Sequence, residues 1–192
     1  LGSALERLGR LDEAERAHLA AFEGSLALLG ERHDQTISSL CSVAAVELRR
    51  GDPASALESY RRALEWDRAA RPAGGAGRSL ILNGLAIAHA RSGDLDRAAA
   101  MFGEVVAEQR AQLPADHWQI GAALLNHGAC LQDAGRPDDA LPRLVEAYES
   151  LAGSLGPEHP RTQNVVTRLV RLFERRGDDE RSAVWRRRRA AP

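Results

Sequence analysis

Apolar and small residues recur in this chain on helical stripes that switch phase at regular glycines. Gly9, Gly51, Gly93, Gly135 and Gly177 follow one another at intervals of 42 residues. Counted from its glycine, each unit places apolar or small residues at −11, −8, −7 and −4. The rows read Leu40, Val43, Ala44, Glu47; Leu82, Leu85, Ala86, His89; Leu124, His127, Gly128, Leu131; and Val166, Leu169, Val170, Phe173. This spacing is one face of an α-helix, here termed helix A. After the glycine, positions +5, +9, +12 and +13 repeat the pattern. They carry Ala14, His18, Ala21, Phe22; Ala56, Tyr60, Ala63, Leu64; Ala98, Phe102, Val105, Val106; and Ala140, Leu144, Ala147, Tyr148. This predicts a second helix, helix B. The residue at +5 is always small, ending with Ser182, which lets the two helices approach closely.

The glycine between the helices suits a left-handed C-terminal cap. Asp52 and Asp94 then stand where an N-cap carboxylate is wanted. Pro53 and Pro137 suit the first turn of helix B. Connectors before helix A carry His33, His117 and His159 at matching positions, which predicts a structural role at the helix start. The skipped position is Gly75, in the run from Arg71 to Gly77, a glycine-rich connector expected to be a softer joint. Pro142, inside the fourth helix B, should kink that helix or push its start later. A period of roughly 20–50 residues marks a stacked-repeat architecture. The expected arrangement is one all-α domain over 1–192, with units 1–32, 33–74, 75–116, 117–158 and a closing unit 159–192. Leu1 falls mid-helix in this register, so an upstream part is expected to be missing.

Composition narrows the class. With 44% hydrophobic and 28% charged residues, the chain is that of a folded protein. The formal charge of −1 favours neither nucleic acid nor a membrane surface. The 26 basic residues are all arginine, as a compositional bias of a GC-rich genome would give. Two distant cysteines, Cys41 and Cys130, argue against a disulfide framework and for a reducing, cytoplasmic setting. No apolar run approaches the ~20 residues that span a bilayer.

The glycine, the alanine five residues on and the helix pairing together resemble the tetratricopeptide repeat. The 42-residue period, connectors such as Leu155-Gly156-Pro157-Glu158-His159-Pro160 and the stretch Leu82-Asn83-Gly84-Leu85-Ala86 are similar to the kinesin light chain subtype. The last unit, with Ala183-Val184-Trp185-Arg186, resembles the ends of arrays attached to bacterial serine/threonine kinases. The resemblance implies an α-solenoid of stacked antiparallel helix pairs coiled into a right-handed superhelix, its concave face lined by helix A. It further implies a partner segment held on that face, with Asn83 matching the family asparagine that bonds the ligand backbone. On this basis the partner-binding residues are Cys41, Leu48, Arg49, Asn83, Ile87, Ala90, Arg91, Leu125, Ala129, Gln132, Thr167 and Arg171. Small apolar side chains with nearby arginines suggest a partner with apolar side chains and some acidic character.

No catalytic, cofactor or metal set emerges. HExxH and CxxC spacings are missing, and the Gly74-Gly75-Ala76-Gly77 run has no Gly-Lys-Ser/Thr to cradle a phosphate. His89 and His127 sit on core stripes and are expected to be partly buried and hydrogen-bonded, and Cys130 to be buried. From 161 to 192 there are ten arginines against four acids, including Arg186–Arg189. These cations complement the C-terminal dipole of the last helix, or offer a handle for nucleic acid or an acidic partner. The leading expectation is a non-catalytic protein–protein interaction scaffold. The alternatives are a regulatory or substrate-recruiting region of a larger signalling enzyme, such as a serine/threonine kinase, and binding through the basic end.

Overall fold

The computed structural model describes residues 2–189, except the side chain of Ala76. Leu1 and residues 190–192, the two ends of the expected array, lie outside the described residues. Ten helices and no strand occur among the described residues: α1 (Gly2–Arg7), α2 (Leu11–Leu29), α3 (Asp34–Arg50), α4 (Pro53–Ala70), α5 (Ala76–Arg91), α6 (Leu95–Gln112), α7 (Trp118–Asp133), α8 (Pro137–Leu155), α9 (Pro160–Arg175) and α10 (Asp179–Arg186). Odd-numbered helices are of type A and even-numbered ones of type B.

The chain forms two compact units, Leu1–Asp94 and Leu95–Pro192. In the first, α1 to α4 each pack on the next helix in sequence, and α3 also touches α5. In the second, α6 to α9 do the same, and α7 also touches α9. Successive helices of type A are therefore neighbours within each unit.

The glycines make the turns the sequence predicts. All five have φ between 66° and 89°, left-handed values that a side chain would strain. Each turn closes with the N–H of the residue after the glycine on the carbonyl at −4: Arg10 to Leu5, Asp52 to Glu47, Asp94 to His89, Arg136 to Leu131 and Asp178 to Phe173, at 2.9–3.0 Å. This is the longer bond of a Schellman cap, and it satisfies a carbonyl the helix leaves orphaned. The small residue at +5 is fully buried in every unit: Ala14, Ala56, Ala98, Ala140 and Ser182 are all 0% exposed. Close approach also shows at Gly128, where an added Cβ would lie 2.8 Å from Cγ of Leu144.

The connector histidines cap the helices that follow. Nδ1 of His33, His117 and His159 accepts the backbone N–H two residues on, at 3.2, 3.3 and 3.2 Å. Gly75 begins α5 without a side-chain cap. A buried ionic cluster ties this connector instead. Asp67, wholly buried, accepts from Arg71 and from Arg78 Nε at 2.8 Å, and Arg78 also donates to the Arg71 carbonyl. The glycine-rich run is thus laced by guanidinium groups on both sides, which its composition does not reveal. Pro142 does not delay α8, which starts at Pro137 and runs through it. The proline stands in the second turn on the exposed side, so a single early backbone bond is forgone. Ala21, a stripe position, is exposed, unlike Ala63 and Ala147. The short α1 reaches back only to position −7 and leaves that part of α2 uncovered.

Candidate functional site

The site expected from the sequence lies on the face of the type A helices at −13, −10, −6 and −3. It is most complete on α5. Leu80 is 65% exposed there, and Asn83, Ile87 and Ala90 follow it along the helix, each half-buried. On α7, Leu125 and Ala129 are half-buried at the matching positions. On α9 the same face is polar, with Thr167 half-buried and Arg171 exposed. Thr167 spends its hydroxyl on the Gln163 carbonyl at 3.0 Å.

Several residues are not available in the way their register suggests. Cys41 and Leu48 on α3 are only 7% and 6% exposed. The Cys41 thiol is pushed up to about 12 by burial, with the Asp67 carboxylate adding to it, so this cysteine is packing and not a ligand-facing thiol. Tyr60 and Asp67 on α4 lie near it, and α3 is packed by α2, α4 and α5. Gln132 on α7 is 9% exposed, and its amide donates to the Arg168 carbonyl at 3.4 Å. These three positions are corrected from open face to core.

Two rim arginines are engaged within the fold. Arg49 donates to the Glu6 carbonyl at 2.8 Å and to the Glu6 carboxylate at 2.7 Å. Arg91 donates to the Leu48 carbonyl at 2.8 Å. In both cases an arginine at −2 reaches the carbonyl at −3 of the preceding unit, 43 residues back. A second arginine position does similar work: Arg50 pairs with Asp12, and Arg176 pairs with Asp138 at 2.6 Å, each from −1 to +3 of the unit before. Such exposed pairs contribute only ~0–1 kcal/mol each, but they fix the register between successive helices. The sequence reading missed this role. Its signal was the recurrence of arginine at −2 and −1. Burial raises the Glu6 carboxyl, but hydrogen bonds from Arg49 and His18 outweigh this and hold it below the ordinary range.

His89 is 4% exposed, with Nδ1 3.4 Å from Asp94 Oδ2. His127 is half-buried, and burial together with Arg143 and Arg136 depresses its pKa. Cys130 is buried and its S–H points to the Leu95 carbonyl at 3.4 Å. Among the described residues no group of three His, Cys, Asp or Glu could hold a metal. No described helix is long and apolar enough to cross a membrane. At the basic end, Arg186 pairs with Glu174 at 2.6 Å. Arg188 lies over the rings of Trp185 and Tyr148 at 4.5 and 5.0 Å. Two of the four terminal arginines are therefore committed to closing the last helix.

Two tetratricopeptide-repeat family models match the sequence, one over residues 1–69, the other over 80–104 and 121–146, together more than half of the chain. The chain belongs to the tetratricopeptide-repeat family. The solved structures it resembles include kinesin light chain-like arrays. The nearly identical TPR-like repeats of a kinesin light chain-like protein from Podosopora anserina superpose with a TM-score of 0.83 at 19% identity, covering 98% of this chain and 89% of that one. BtubC (BKLC) from P. vanneervenii gives 0.79 at 20% identity, over 93% and 71%. A Rap protein, solved in complex with Competence and Sporulation Factor, gives 0.77 at 16% identity; the match covers 96% of this chain but 49% of the Rap protein. At these identities the likeness is one of fold. Comparison with curated proteins gave no match.

Proposed function

We propose that this tetratricopeptide-repeat chain is a non-catalytic scaffold that holds a partner polypeptide against its type A helices, with α5 as the principal contact. The observation that carries this reading is the row Leu80, Asn83, Ile87 and Ala90: an apolar, partly open helix face with one amide in it. An amide beside aliphatic side chains suits an extended segment whose backbone needs a hydrogen-bond partner and whose side chains are apolar. Within the second unit, Leu125 and Ala129 on α7 and Arg171 on α9 occupy the same register. The acidic preference expected from Arg49 and Arg91 is not carried over, because both guanidinium groups hold the preceding repeat. The Rap complex supports the reading by analogy: a related helical fold is captured with a second molecule. Two buried, free cysteines fit a reducing, cytoplasmic setting.

The test is a pull-down from the native source followed by titration of the recovered partner. Asn83→Ala should weaken binding about tenfold, the scale of losing one buried hydrogen bond in an interface, while helicity by circular dichroism stays unchanged. Unaltered affinity for both Asn83→Ala and Ile87→Asp would overturn the assignment.

A further inference from the structure

We infer that the second unit carries a separate binding pocket, for an aromatic side chain flanked by a cation. A cavity of about 480 Å³ opens between α6, α7 and α8, within the size range of ligand pockets. Ile120 and Leu124, 3% and 1% exposed, form its buried apolar wall. Glu149 is exposed and stands at the mouth, and Glu146 beside it pairs with Arg110. Ser150 also lines the cavity, with its hydroxyl covered by the fold and without a hydrogen-bond partner.

The chemistry of the missing group is written 84 residues earlier. Two repeats back, the positions of Val106, Glu146 and Ser150 are occupied by Phe22, Arg62 and Trp66. There the two rings stack with centroids 6.3 Å apart, and the Arg62 guanidinium lies 4.4 Å over the indole of Trp66. The first unit thus fills this joint from its own chain with two rings and a cation. The second unit has replaced the rings by Val and Ser and the cation by a carboxylate. What remains is an apolar space edged by the Arg110–Glu146 pair and by Glu149. A partner supplying an indole and an adjacent arginine or lysine restores the missing set. The ring lies over Ser150, in the space that Trp66 fills two repeats back, and the cation meets Glu149. This pocket is built from other residues than the proposed α5 face.

An NMR titration of the whole chain with the blocked tetrapeptide Ac-Gly-Trp-Arg-Gly-NH₂ tests it. Saturable shifts are expected at Ile120, Leu124 and Ser150. Ac-Gly-Ala-Arg-Gly-NH₂ and Ac-Gly-Trp-Glu-Gly-NH₂ should bind about tenfold more weakly or not at all. Ser150→Trp, which refills the joint as Trp66 does, should abolish the response. Glu149→Arg, a surface change that spares the fold, should reverse the preference between the Arg and Glu peptides. Asn83→Ala should leave the titration unchanged. Shifts that avoid the cavity, survive both cavity variants, or disappear with Asn83→Ala would overturn the proposal.

Discussion

The two compact units use one register to reach different interiors. In the first, the joint between successive type B helices is filled by the Phe22–Trp66 stack with Arg62 over it, and its last connector is held by the buried Asp67–Arg71–Arg78 cluster. In the second, the corresponding joint holds a cavity edged by Glu146, Glu149 and Arg110, and aromatic packing moves to the closing helix, where Trp185 meets Tyr148 edge-on at 4.9 Å. The turn glycines and the small, fully buried residues at +5 are alike in both units. A repeat can therefore keep its turn chemistry fixed and vary what fills the space between helices. That space is where stability and recognition are free to diverge.

The sharpest way to break the comparison is Asp67→Ala. Arg78, 9% exposed, would be left buried beside another cation without its carboxylate. A loss of about 4 kcal/mol is expected, read by denaturant unfolding, with hydrogen exchange rising first in α4 and α5. Next comes Trp66→Ser, which gives the first unit the residue that the second carries at Ser150. Emptying that joint should cost about 3 kcal/mol. If it costs less than about 1 kcal/mol, the aromatic fill is not what separates the two joints.

Smaller effects sharpen the picture. His159→Ala removes the cap on α9 and should cost about 1 kcal/mol, with Asn at the same site restoring most of it; exchange protection in the first turn of α9 is the readout. His127→Leu should act through pH. Burial, with Arg143 and Arg136 nearby, holds the folded pKa of His127 below its ordinary value of 6.5. The folded state then binds fewer protons than the unfolded chain. This stability is fully present above about pH 6.5 and is lost as pH falls towards the folded value. The parent Tm should drop between pH 7 and pH 5, and His127→Leu should show a smaller drop over that window.

Legibility in the sequence followed the range of the interaction. The structural role of His33, His117 and His159 at the helix start is contained within a few residues, so spacing pointed to it, and the structure shows it to be a cap. The core stripes were equally plain, because a face of one helix is a local property. The putting-away of Cys41, Leu48 and Gln132 was not plain. They share a register with the half-open Asn83, Ile87 and Leu125, and only the neighbouring helices separate the two groups. Nor could the length of an arginine side chain at −2 announce that it ends on a carbonyl 43 residues upstream.

By itself, then, the sequence determined where the chain turns, which residues meet inside each helix pair and to which family the chain belongs. These follow from backbone preferences of glycine and from helical periodicity, both set by near neighbours. Tertiary structure alone decided which positions of the type A face stay open, which arginines are consumed as staples, and that Ser150 faces a void where Trp66 fills one. Exposure and cavities are differences between volumes brought together from distant repeats, and no single repeat carries that information.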